Sequence, residues 1–356
     1  MLCRCCNVFQ GFPLLFSYTL CLGVGFGAYI TWDQWHWWSR REDYSFGFLV
    51  PLFLLVVLWD RWPQLRRLLG APAKAPQANP EFTAKTEKNE VPLTLGWLTE
   101  KRYGFAKWVI PTGFHTGLVL GLVTFGLGAL YRAGAGPSQP GSLLIAIGGG
   151  ATIFSLLYIC LPHSPLAWRE QMGSEPRPSE ALNRRLTATL LFCFPCFIWI
   201  ISAPLVSLIE NRLSLFLLDK VLMVVFFLLE MGGYALEQEG NILIMPSGKV
   251  GIEDACSGIR SLMGCLFAGS FLGAIFFRNL GQKLLLLVFG MAFAFTANLV
   301  RSIFLTAWAY SKGPDAISGF VHGVAGYFVL GLTSLMLLAL IPILNLQFAQ
   351  PSKARQ

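Results

Sequence analysis

The chain has 356 residues, of which 54% are hydrophobic and only 13% charged, with a mean hydropathy of +0.58. A soluble domain carries about 25% charged residues; here the missing charge is replaced by apolar runs long enough to cross a bilayer, at about 20 residues each. The runs are continuous and do not alternate, which argues against a β-barrel, and the net charge of +8 sits mostly in loops, so no basic, aromatic-interleaved domain is present to bind nucleic acid.

At the N-terminus, Cys3, Cys5 and Cys6 cluster without a nearby His, so no metal site is expected. The apolar stretch from Gly11 to Ile30 is too long for a signal-peptide core and no small-residue cleavage site follows it, so it reads as a first span. Further spans are expected at 47–60, 108–130, 142–161, 186–206, 256–277, 284–305 and 321–345, making eight with the first at 11–31. The fold class is therefore an all-α integral membrane protein, read as one polytopic domain over 1–356.

The segment 61–107 contains Ala71-Pro-Ala-Lys-Ala-Pro-Gln77 and a mixed-charge stretch from Thr83 to Glu90, and it reads as a flexible cytoplasmic loop. With the N-terminus inside, the inner segments hold 18 of the 27 Lys and Arg, nine of them in 61–107. That two-to-one bias follows the positive-inside rule. Cys21, Cys160, Cys193, Cys196 and Cys265 lie within apolar runs, where Cys acts as a small hydrophobe. Cys193-Phe-Pro-Cys196 has redox spacing but no thioredoxin-like context, and it reads as packing.

Residues 207–255 are expected to lie at or outside the outer face. Leu213–Leu229 is apolar but carries Asp219 and Lys220 at its middle; a spanning helix would bury both, whereas a helix in the outer interface, or a re-entrant one, would not. An extra span there would move Cys256 to the cytoplasm. Asn241–Ile252 reads as two short strands around a Pro-Ser-Gly turn, leading into a three-helix portion, 256–345, that carries the chemistry.

That chemistry rests on Glu253-Asp-Ala-Cys-Ser-Gly-Ile-Arg260, Asn298-Leu-Val-Arg301 and His322. Polar side chains at membrane depth are expensive and mark sites. Cys256 opens the sixth span, where the positive helix end favours a thiolate, with Asp254 or Ser257 as the cap. The Glu253–Asp254 pair opposes the thiolate, so a fixed cation is needed, either Arg260 or Arg301. Arg301 closes the seventh span, with Asn298 three residues earlier on the same face; a guanidinium cannot lose its proton and suits an oxyanion clamp. His322 opens the eighth span and is the side chain best suited to proton transfer near neutrality. Gly264, Gly269, Gly319, Gly323 and Gly326 permit close helix contacts, either within the protein or with a partner helix. The other histidines fall outer (His36), within a span (His115) and at an inner edge (His163).

Ala255-Cys-Ser-Gly-Ile259, Asn298-x-x-Arg301 and His322, in that order, resemble the signature of the exosortase/archaeosortase family, and Asp43-Tyr-Ser-Phe-Gly-Phe-Leu-Val-Pro51 resembles its early motif. The early motif departs from the family at Phe46, where His is usual, so any role of that His is absent or passes to His36. The resemblance implies a bacterial inner-membrane cysteine transpeptidase that works on its extracytoplasmic side. Cys256, Arg301 and His322 would be catalytic, and Asn298, Ser257 and Arg260 supporting. Its partners would be exported proteins bearing a C-terminal sorting signal and a transmembrane helix, together with membrane lipid; no cofactor, metal or nucleic acid is implied. A hydrolytic membrane protease using the same residues, a transporter and a scaffold are the competing readings.

Overall fold

The computed structural model of the protein describes residues 13–69, 100–162, 176–251, 258–277, 279–317 and 319–348. Among them are eight helical segments long and apolar enough to cross a membrane, one at each of the eight expected positions: Leu14–Arg40, Glu42–Leu68, Arg102–Ala135, Gln139–Ile159, Pro178–Ser202, Ile259–Phe276, Leu280–Lys312 and Gly323–Asn345. The helices overrun the expected spans. The ends of the expected 61–107 loop are helical, since α2 (Val50–Leu68) and α3 (Glu100–Ala135) reach into it, and the stretch 70–99 lies outside the described residues. Charged and aromatic side chains that mark a segment as non-spanning do not stop a helix from continuing into the interface, because its backbone stays satisfied from within.

The chain divides into two compact units. The first holds residues up to 36 together with 48–203, and comprises most of α1 (Leu14–Arg40), α2, α3, α4 (Gln139–Ile159), α5 (Pro178–Leu190) and α6 (Cys193–Ser202). Helices α3 and α4 form a hairpin closed by Gly136 (φ +76°) and by Ser138, whose Oγ accepts from Gly141 N at 3.2 Å. Their backbones nearly touch: a Cβ on Gly148 would lie 2.2 Å from Phe125 N, and one on Gly128 would lie 2.9 Å from Ile145 N. In lipid, where burying apolar surface gives helices no reason to associate, close small-residue packing supplies the attraction.

The fifth span is two helices rather than one. Pro195 has no N–H to return to Leu191 O, and its ring opposes that carbonyl, so the helix breaks between α5 and α6. The Arg61 guanidinium donates to the Leu191 carbonyl instead. Arg185 does the same for the end of α4, with Nε 2.7 Å from Tyr158 O and the guanidinium 3.9 Å above the Tyr158 ring. Cations are also favoured at these negative helix ends. Cys196 is buried and carries no disulfide, in line with a packing role.

The first unit contains a buried ion pair. Asp33 on α1 is fully buried, with its Oδ1 2.9 Å from Arg132 Nε on α3, and the Arg132 guanidinium rests 5.0 Å from the centre of the Trp32 ring.

The second unit holds residues 37–47 and 204 onward. It contains a 3-10 helix beginning at Glu42, then α7 (Ser207–Met231), a three-stranded antiparallel sheet, and helices α8 (Ile259–Phe276), α9 (Leu280–Lys312) and α10 (Phe320–Phe348). Strands β2 (Ile242–Met245) and β3 (Gly248–Gly251) occupy the expected hairpin region, with Met245 opposite Gly248 across the Pro246-Ser247 turn. A strand absent from the sequence reading, β1 (Glu237–Glu239), pairs with β2 in the register Glu239 to Ile242. Its three residues are polar and exposed, so it carries no hydrophobic alternation; it joins the sheet through its backbone, with an exposed ion pair from Glu239 to Lys249 of β3 at 3.4 Å. Leu243, Met245 and Val250 are the buried face of the sheet; Met245 and Val250 pack on Ala309 of α9, and Leu243 joins the core that α7 and α9 share. Below the sheet, α8, α9 and α10 share a core of Cys265, Leu286, Ala294, Leu337 and Ile341.

Arg132→Met leaves Asp33 buried without its cation, and loss of one partner of a buried pair costs about 3–5 kcal/mol. The expected outcome is a clearly lowered thermal midpoint in detergent, largely restored in the double variant Asp33→Leu/Arg132→Met, as measured by differential scanning fluorimetry.

Candidate functional site

Helix α9 supplies the frame. Asn298 and Ser302 are buried one turn apart, and Arg301 lies between them in sequence, three residues from Asn298 on the same face. Ser302 Oγ donates to Asn298 O at 2.9 Å, and Thr306 Oγ1 to Ser302 O at 2.8 Å, so this stripe satisfies its hydroxyls on its own backbone. Arg301 does not end the helix, as the sequence suggested. α9 runs on for eleven residues to Lys312, held by the sheet: Ser247 Oγ donates to Ala309 O at 3.2 Å.

The start of α8 meets this stripe. Gly258 occupies the N-cap position with φ +69°, in the left-handed region, and a Cβ there would lie 2.9 Å from Asn298 Nδ2. Two demands fall on one residue, a positive φ and contact with an amide, and glycine meets both. The helix begins at Ile259, three residues later than expected, because a right-handed helix cannot run back through Gly258. The cap is Gly258 itself, without a side-chain hydrogen bond, in place of the expected Asp254 or Ser257. Glu253, Asp254, Cys256 and Ser257 lie outside the described residues.

Helix α10 approaches Arg301. A Cβ on Gly326 would lie 3.8 Å from Arg301 Nη2. Position 322 is one turn earlier on α10, two residues from its start, on the same helical face as Gly326. The start of α8, the middle of α9 and the start of α10 therefore converge on Asn298 and Arg301.

Of the five glycines singled out in the sequence, Gly264 and Gly269 serve packing inside the chain: Cβ atoms there would meet Leu330 at 3.8 Å and Leu287 at 3.2 Å. Gly319 and Gly323 have nothing within 4 Å.

The second cation, Arg260, is engaged elsewhere. Its Nε donates to Asp43 Oδ1 at 3.1 Å, and its Nη1 lies 2.9 Å from Glu42 Oε2. Asp43 also lies 3.5 Å from Arg41, which grips Glu210 in the first turn of α7 through both guanidinium nitrogens. These hydrogen bonds push the Arg41 guanidinium up from its ordinary pKa, and the first turn of a helix favours the Glu210 carboxylate. Arg41 and Glu210 went unnoticed in the sequence because nothing local links residues 169 apart. Asp43 stood in a recognised stretch without a role.

The same stretch explains its own departure at Phe46. The Phe46 ring sits 4.8 Å from that of Phe267 on α8, so this position packs. His36 belongs to the first unit, beside Asp33. Tyr44 is buried and its Oη accepts from Leu205 N at 2.9 Å. Gly47 lies against the Trp38 ring so closely that any Cβ would overlap it, at 2.1 Å from Nε1.

A multi-pass membrane protein with a polar cluster where three helices converge is the class these observations define. The family model described as transmembrane exosortase (Exosortase_EpsH) matches residues 90–339, well over half of the chain, and the chain belongs to that family. The matched stretch includes positions 256, 298, 301 and 322, and leaves Asp43–Pro51 outside it. Among curated proteins and among solved structures, nothing matches the chain.

Gly258→Ala forces a side chain into the left-handed region, at about 1–2 kcal/mol, and against the Asn298 amide. It is expected to lower the thermal midpoint in detergent by roughly 2 to 4 °C, whereas Gly323→Ala, which meets open space, leaves the midpoint unchanged.

Proposed function

We propose that this exosortase is a cysteine transpeptidase that cleaves a C-terminal sorting signal from exported proteins and transfers the new C-terminus to a cell-envelope acceptor. The observation that carries this reading is the double contact on α9: Gly258 against Asn298, and Gly326 against Arg301. Two peptide units separate Gly258 from Cys256, a reach of at most about 7 Å. The amide of Asn298 and the guanidinium of Arg301 thus lie against the starts of α8 and α10, and in this proposal the Cys256 thiol and the His322 imidazole act beside them.

The Cys256 thiolate attacks the carbonyl carbon of the scissile bond. Charge collects on the carbonyl oxygen, where the fixed cation of Arg301 stabilises it, with Asn298 in support. Collapse of the tetrahedral species breaks the C–N bond, and His322 gives its proton to the leaving amine. A thioester on Cys256 remains. The acceptor attacks it, His322 takes the acceptor's proton, and Cys256 is released. Ser257 belongs to the nucleophile segment as a supporting residue. Arg260 pairs with Asp43 and Glu42, and the oxyanion role is given to Arg301, which lies three residues from Asn298 and against Gly326. Hydrolysis is the same sequence with water as acceptor.

The substrate's own transmembrane helix would dock beside α8–α10, and the chain would lie in the bacterial inner membrane with this site on the extracytoplasmic side. In that orientation α7 lies in the outer interface. Its buried stripe, Leu218, Val221, Leu222, Val225 and Leu229, faces the unit's core, and its Asp219–Lys220 pair is exposed.

Cys256→Ala is expected to abolish processing of a sorting-signal substrate while the protein still accumulates in the membrane, and Cys265→Ala to retain it. Processing by Cys256→Ala would rule the mechanism out. Mass spectrometry of the product's C-terminus separates transfer, which adds a group, from hydrolysis, which leaves a carboxylate. For sidedness, Lys249→Cys should react with an impermeant maleimide in intact cells; reaction only after permeabilisation would place the sheet in the cytoplasm.

A further inference from the structure

We propose that Asp43 is a positioning residue for the nucleophile segment, acting through Arg260; this rests on the reading of Cys256 as the nucleophile. Four charges form an alternating row within the second unit: Glu210, Arg41, Asp43 and Arg260. Its two cations and two anions cancel. The Glu210 and Asp43 side chains retain only 9% and 24% of their exposure, so the row is anchored at the α7 end and bridged at its middle by a carboxylate largely withdrawn from solvent. Its far end is the second residue of α8, four residues beyond Cys256 and two beyond Gly258.

Glu42 touches the same guanidinium, but its side chain is 80% exposed and that of Arg260 is 62% exposed, and such a pair is worth little. Among the described residues, Asp43 is the node that joins Arg260 to the Arg41–Glu210 pair. The Phe46–Phe267 ring contact fixes the same connector to α8 two turns further along, so charge at one point and ring packing at another set both the position and the direction of the start of α8. With its charge compensated, Arg260 fixes the start of α8 and does not stabilise the thiolate.

The test is a double-mutant cycle on the full-length enzyme in membranes or detergent, using a peptide that carries the sorting signal. Asp43→Asn is expected to lower kcat at least tenfold and to change KM less than threefold. Arg260→Gln should do the same, and the double variant should be no slower than the slower single variant, because the two act as one unit. Glu42→Gln should stay within twofold of the parent. The pH profile of Cys256 alkylation by iodoacetamide should be unmoved in Arg260→Gln.

Three results would overturn the proposal: effects that multiply in the double variant, a rise in KM at constant kcat, or a shift of the alkylation profile in Arg260→Gln. Should Asp43→Asn fail to accumulate, Arg260→Lys carries the same split of kcat against KM, since it keeps the charge but loses the planar fork. Active Cys256→Ala would sink the parent reading. Inactive Cys256→Ala beside fully active Asp43→Asn would sink this inference alone.

Discussion

A charge taken out of water is costly unless a partner and hydrogen bonds come with it, and each unit of this protein is arranged around that constraint. In the first unit, Asp33 is fully buried and Arg132 meets it. Arg61 and Arg185 bury their heads only where helix-end carbonyls wait for them, at Leu191 and Tyr158. In the second, charges of both signs line up from α7 to the start of α8. At the candidate site, α9 brings Asn298 and Arg301 to one face, met by Gly258 and Gly326.

The second constraint is steric. Gly148 and Gly128 let α3 and α4 touch backbone to backbone, Gly47 admits the Trp38 ring, and Gly258 admits the Asn298 amide. These glycines look interchangeable in the sequence, yet they do different work. At Gly258 the backbone itself has turned left-handed; at Gly47 it has not, and only the missing side chain matters.

The spans were legible because about 20 apolar residues in a row admit few other readings. Their ends were not, since Trp, Arg and Lys near an interface neither stop a helix nor continue it by themselves; hence α9 passes Arg301 by eleven residues and α3 begins well inside the expected loop. The break at Leu191 was written in Pro195 but masked by the apolar run around it. At the candidate site, residue type and order pointed to three spans; the described contacts are those of Gly258 with Asn298 and of Gly326 with Arg301, and Cys256 lies outside the described residues. The row through Asp43 was not legible, because two of its links join residues 169 and 217 positions apart, brought together only by the fold.

The overrun of α9 bears on how deep the guanidinium sits. An arginine at a helix end can swing toward the headgroups, so its height follows the local lipid. Arg301 stands within a continuous rod, with eleven further residues, about 16 Å of helix, clamped above it by the sheet. Its level relative to Gly258 and Gly326 is set by protein contacts alone, and a thinner or thicker bilayer would slide past the site without changing its internal geometry.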